Sequence, residues 1–289
     1  MAAGARRHYH FAMPDSQRGS PESHAAGEDA SAAFEVIPGD PAGGLVLLCD
    51  HAANALPAEY SDLGLRPEEL RRHIACDIGA AALTRCLAAG LFAPAILSRF
   101  SRLLIDLNRG EDDPTLIMQL SDRAIVPGNR RIDAAERRRR LERYYLPYHA
   151  AITQALDAAL RTGRAPAIVS VHSFTPAWKS RPRPWHIGVL WDRDPRLAVP
   201  LIEALKASGE LTVGDNEPYV GALKNDTLYR HASRRGLAHA LIEVRQDLIA
   251  DEAGVAAWEA RLTPMLARLR EDPAVAVVRH FGSRSDGNT

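Results

Sequence analysis

Three apolar runs give way to residues that can hold a metal ion or move a proton. Leu45-Val46-Leu47-Leu48-Cys49 stops at Asp50-His51, with Asn54 three residues beyond; Ala167-Ile168-Val169-Ser170-Val171 stops at His172; Ala240-Leu241-Ile242 leads into Glu243-Val244-Arg245. A catalytic zinc site keeps three protein nitrogen or oxygen ligands and an open position for water. His51, His172 and either Asp77 or Asn54 would complete such a set, leaving Glu243 as a base. On these residues alone the metal competes with chance, because a chain with 11 histidines places some near strands anyway. Asp77 also has a plainer role, as an acid at a helix start where the dipole favours it. Other chemistries lack support: the chain has no G-x-S-x-G elbow, no G-x-x-x-x-G-K-[ST] loop and no G-x-G-x-x-G after a strand.

The elements that must position these residues follow from the same runs. A continuously apolar strand with a polar end is a parallel strand covered by helices on both faces, with ligands at its carboxyl end. Further strands are expected at 34–37, 95–98, 103–107 and 186–191. Helices are expected at 67–70, at 77–89 closed by Gly90, from Asp133 to Gly163 with a kink at Pro147, and at 194–207, 226–234 and 251–270. The alternation predicts one three-layer α/β domain over 34–275, its central sheet mostly parallel and flanked by helices. Residues 1–33, rich in Ala, Gly, Ser and charge, read as a flexible arm, and 276–289 as a tail.

Composition narrows the partners. The 289 residues are 46% hydrophobic and 25% charged, enough for one large core, and 36 basic against 36 acidic side chains leave a formal net charge of +0. That balance exerts no global pull on nucleic acid or an anionic membrane, so a small soluble substrate is expected. The run Arg137–Arg140 would point all round a helix and reads as a solvated face. Three cysteines, Cys49, Cys76 and Cys86, lack paired spacing and read as buried free thiols in a reducing cytosol. No stretch approaches the roughly 20 apolar residues of a membrane span, and the first 33 residues lack a signal-peptide core; a cytoplasmic location is expected.

Six separated motifs, in order, resemble the N-formylglutamate amidohydrolase family: Cys49-Asp50-His51-Ala52-Ala53-Asn54-Ala55-Leu56-Pro57, His73-Ile74-Ala75-Cys76-Asp77-Ile78-Gly79-Ala80, Ser98-Arg99-Phe100-Ser101-Arg102, Asp106-Leu107-Asn108-Arg109, Ser170-Val171-His172-Ser173-Phe174 and Leu241-Ile242-Glu243-Val244-Arg245-Gln246-Asp247. The resemblance implies a hydrolase that splits N-formyl-glutamate into formate and glutamate in histidine degradation. It also implies a phosphorylase/hydrolase-like fold and one zinc ion per chain. Zinc carboxypeptidases of that fold take an acid three residues after the first histidine, where this chain has Asn54. Muramoyl amidases take theirs at the next helix start, where it has Asp77, the better ligand. By that likeness His51, Asp77 and His172 bind the metal and Glu243 is the base. A substrate with two carboxylates then calls for guanidinium forks, for which Arg109, Arg245 and Arg102 are the candidates. Two alternatives stay open: a zinc amidase or peptidase for another N-acyl amino acid or a cell-wall peptide, and a non-catalytic binding protein. The loops at 174–184 and 215–225 would shape the acyl pocket.

Overall fold

The structure is a computed structural model that describes residues 33–287. The expected arm at 1–33 therefore lies outside the described residues, Ala33 excepted. Among the described residues eleven strands appear in chain order: β1 Phe34–Ile37, β2 Leu45–Cys49, β3 Ala95–Ser98, β4 Leu120–Ser121, β5 Ala124–Ile125, β6 Ala167–Phe174, β7 Ala177–Trp178, β8 Arg181–Pro182, β9 Ile187–Leu190, β10 Val213–Asp215 and β11 His239–Arg245. Seven form the central sheet in the order β1-β3-β2-β6-β11-β9-β10. β2, β3, β6 and β11 run parallel, as do β9 and β10, whereas β1 joins β3 and β9 joins β11 antiparallel.

Helices cover both faces: α1 Pro67–Leu70, α2 Ala80–Leu91, α3 Ala134–Arg140, α4 Leu146–Leu160, α5 Ala198–Ala207, α6 Thr227–His231 and α7 Glu252–Leu269. Strand alternation divides the core between them. Leu45, Leu47 and Cys49 pack with Leu83 and Leu87 of α2, Leu201 of α5 and Leu262 of α7. Val46, Leu48 and Ile168 pack with Tyr148 and Ile152 of α4 and Leu228 of α6. Every residue of β2 is buried, as a strand sandwiched between helical layers requires. The result is the three-layer α/β domain that the alternation of runs predicts.

Several local expectations need correction. Residues 103–107 are buried but form turns rather than a strand. Ser101 supplies the reason: its carbonyl takes the Leu104 N–H and its hydroxyl the Leu103 N–H, while Asp106 N–H turns to Leu116 O, so the backbone is satisfied without a ladder. The helix expected at 77–89 is α2; it starts at Ala80 and runs through Gly90 to a left-handed cap at Phe92. Its buried face is Ala80, Leu83, Thr84, Leu87, Ala88 and Leu91, which leaves Cys86 exposed, against the expectation of three buried thiols. The helix from Asp133 is not continuous α-helix: a π-helical turn at Leu141–Tyr145 separates α3 from α4, with Pro147 in the first turn of α4. Arg140, expected in solvent, is 1% exposed and donates to Leu104 O, Asn129 Oδ1 and Glu136. The tail does not trail free: Arg279 N–H donates to Gly236 O and Arg284 pairs with Asp192.

Candidate metal centre and active site

His51 follows β2 by two residues, while His172 and Glu243 lie near the ends of β6 and β11 as direct neighbours in register. His172 shares the parity of Ile168 and Glu243 that of Leu241, so both face the α4 and α6 layer at the carboxyl edge of the parallel strands, while His51 sits in the turn just past the end of β2. Asp77 arrives from the corner before α2. Gly79 makes that corner possible: its φ is +79° and a Cβ there would stand 2.1 Å from Ile249 O. The corner is tied to both strands, Asp77 N–H donating to His51 O and Ser173 Oγ to Ile78 O.

These pieces bring His51, Asp77 and His172 together, all buried, with one ligand atom from each within 4.8 Å of the others. The Nδ1 atoms of His172 and His51 lie 2.7 and 3.3 Å from Asp77 Oδ2. Each Nε2 is turned outward onto its own carboxylate, His51 to Asp106 Oδ1 at 2.8 Å and His172 to Asp50 Oδ2 at 3.1 Å. Two imidazoles whose far nitrogens are held by carboxylates, converging with an acid, are the donor set a zinc-like ion takes. The residues therefore fit such an ion. Asn54 does not join them; it is exposed and donates to Leu70 O.

Asp50 and Asp106 are site residues to which the sequence alone assigned no role. Asp50 also accepts from Ser170, Tyr148 and Thr227, so four hydrogen bonds fix it. Asp106 accepts from Asn108 N–H and a forked pair from Arg102. Burial disfavours both anions, yet their hydrogen-bonded and cationic neighbours hold both well below the usual carboxylate range. The signal was present: an acid at the end of a fully apolar run must find partners or stay neutral.

Glu243 is different. It is 7% exposed, and its Oε2 has no hydrogen-bond partner among the described residues. Burial lifts its carboxyl to about 7, against the pull of His172, His51 and Arg102. A buried carboxyl raised toward neutrality beside a candidate metal site is the usual setting of a proton-transfer group. His172 is raised too, but by its neighbours rather than by burial: burial opposes its charge, yet hydrogen bonds to Asp50 and Asp77 lift it to about 10.

A cavity of about 470 Å³ opens over this group, lined by His51, Asp77, His172 and Glu243 together with Arg102, Arg109 and an apolar wall that includes Leu190, Leu228 and Leu241. Of the expected guanidiniums, Arg102 reaches the cavity but is committed to Asp106 and Asp77. Arg109 lines it while donating to Asn108 O and Thr115 Oγ1. Arg245 does not line it; Asp247 holds its Nε at 2.8 Å.

The chain resembles known proteins in sequence and in fold. The sequence family described as N-formylglutamate amidohydrolase matches residues 43–250. A crystal structure of a gene product from Agrobacterium tumefaciens is 35% identical, with a TM-score of 0.77, over 82% of this chain and 94% of that one. A crystal structure of N-formylglutamate amidohydrolase from Ralstonia eutropha JMP134 is 27% identical, with a TM-score of 0.63, over 83% of this chain and 97% of that one. No curated protein matches the chain.

Proposed function

The chain belongs to the N-formylglutamate amidohydrolase family, and from that premise we propose that it is a zinc-dependent hydrolase cleaving N-formyl-L-glutamate to formate and L-glutamate, as in histidine degradation. The observation that carries the reading is the unpartnered, buried Glu243 carboxylate beside His51, Asp77 and His172. Those three residues would hold one ion per chain. When bound, the ion supplies Lewis acidity that polarises the scissile carbonyl and acidifies the attacking water.

The remaining work belongs to the chain's own side chains. Glu243 accepts the proton of the attacking water and returns it to the leaving amine nitrogen, so formate departs as the C–N bond breaks. Asp50 and Asp106 keep the two imidazoles in the tautomer and orientation that present Nδ1 inward. Arg102 bridges Asp77 and Asp106 and so positions the acid. Arg109, at the cavity wall, is placed to fork onto a substrate carboxylate.

No helix among the described residues is long and apolar enough to cross a membrane. With a net charge of +0, this fits a cytoplasmic enzyme for a small N-acyl amino acid, with neither nucleic acid nor membrane as a partner. The cavity favours a second reading alongside the first: about 470 Å³ with an apolar wall leaves room for an acyl group larger than formyl. Acid release from N-formyl, N-acetyl and longer N-acyl glutamates and alanines, beside a muropeptide, tests both. Fastest formate release from N-formyl-L-glutamate supports the first reading, preference for a longer acyl group supports the second, and no release from any substrate overturns both.

A further inference from the structure

We infer that Arg183, held among three aromatic rings that line the cavity, binds the distal carboxylate of the substrate. This rests on the proposed hydrolysis of an N-acylated glutamate, a molecule with two carboxylates for which the cavity wall offers Arg102 and Arg109. Arg102 is already neutralised by Asp106 and Asp77, and Arg109 has Asp113 at 4.0 Å. Arg245, the other guanidinium of the motifs, is taken by Asp247. Among the described residues no carboxylate stands within ion-pairing distance of Arg183.

Its surroundings orient it without neutralising it. The guanidinium carbon lies 5.0 Å from the centre of the Tyr219 ring, 5.6 Å from Trp178 and 5.7 Å from Phe174. Nη1 donates to Thr175 Oγ1 and to the Tyr219 hydroxyl, both at 3.1 Å. Phe174, Thr175, Trp178 and Tyr219 all line the cavity that holds Glu243 and His172. Nε and Nη2 have no side-chain or backbone acceptor among the described residues, which leaves the donor pair that forks onto a carboxylate.

The support is preorganised. Arg245 Nη1 reaches the carbonyls of Arg183 and Trp185 at 3.4 Å each, steadying the leg that follows the β7–β8 hairpin. The Tyr219 loop is pinned by Asn216, whose Oδ1 accepts from the N–H groups of Trp191 and Gly221. It also lies hard against Gly188, where a Cβ would come within 2.0 Å of Glu217 O. A cation fixed in advance loses less entropy on binding an anion.

The test compares N-formyl-L-glutamate with its neutral isostere N-formyl-L-glutamine in wild type, Arg183→Met and Arg183→Lys, following formate release. A charge-assisted pair is worth about 1.5 to 3 kcal/mol, roughly 10- to 150-fold. Arg183→Met should therefore raise KM for the glutamate substrate by that factor while moving the glutamine substrate less than about 3-fold, and Arg183→Lys should recover part of the loss. Calorimetric binding of L-glutamate and L-glutamine gives the same comparison without turnover: the wild-type preference for glutamate should vanish in Arg183→Met. Equal losses on both substrates, or discrimination retained in Arg183→Met, would overturn the assignment. Equal use of both substrates by wild type would also overturn it while leaving the deformylase reading intact. Formate from neither substrate would instead overturn the reading on which it rests.

Discussion

Replacing Glu243 with glutamine keeps the side-chain volume, removes one proton acceptor, and should move activity and stability in opposite directions. Glu243 is 7% exposed, and burial holds its carboxyl at about 7 rather than the ordinary 4.5. A carboxyl raised in the folded state leaves stability untouched below the unfolded value and erodes it as pH climbs from 4.5 through about 7. At about 1.36 kcal/mol per pH unit, ionising Glu243 costs the folded chain up to about 3 kcal/mol at pH 8. Glutamine does not titrate, so in chelator-treated protein Glu243→Gln should be more resistant to urea than wild type at pH 8, with the difference closing toward pH 5. No partner of Glu243 would be stranded, because the one cation on its own strand end, Arg245, is paired with Asp247. Formate release by the zinc-loaded variant should fall about 10²- to 10⁴-fold, mainly in kcat. A variant less stable than wild type at pH 8, or one that turns over within about tenfold of it, would refute the reasoning.

Other substitutions probe the rest of the centre. Asp77→Ala should abolish stoichiometric zinc binding while Asn54→Ala retains it, as read by metal analysis after dialysis. Asp50→Asn should keep the fold and weaken zinc about 10- to 100-fold in a competition titration, because the Nε2 partner of His172 is lost. The proton that Asp50 and Asp77 hold on His172 up to about 10 must leave before a metal binds, so zinc affinity should climb with pH across the range below that value. Arg140→Ala should lower urea stability by about 3 to 5 kcal/mol, since it leaves Glu136, Asn129 and Leu104 O without their buried donor.

What could be read in the sequence was what burial forces into a pattern. β2, β6 and β11 are apolar on both faces, so His51, His172 and Glu243 announced themselves by breaking those runs. Where burial comes without a ladder the pattern misleads: 103–107 is as apolar as a strand yet turns, because Ser101 and Leu116 satisfy its backbone. Helix phase was lost at α2, where the Asp77–Gly79 corner delays the start to Ala80 and turns Cys86 outward. Arg140 was hidden in a run of four arginines, only one of which the helix carries inward. Side-chain direction at a strand end is set by local partners, which is why Arg245 stays with Asp247 and Arg183, in a Pro-rich loop without periodicity, packs among the rings of Phe174, Trp178 and Tyr219.

The most direct test is a zinc titration of the chelator-stripped chain with formate release from N-formyl-L-glutamate as the readout. The account predicts no turnover without metal and a linear rise that breaks at one ion per chain, absent in His51→Ala and His172→Ala. Full activity in the stripped protein, or turnover that rises equally in those two variants, would contradict it.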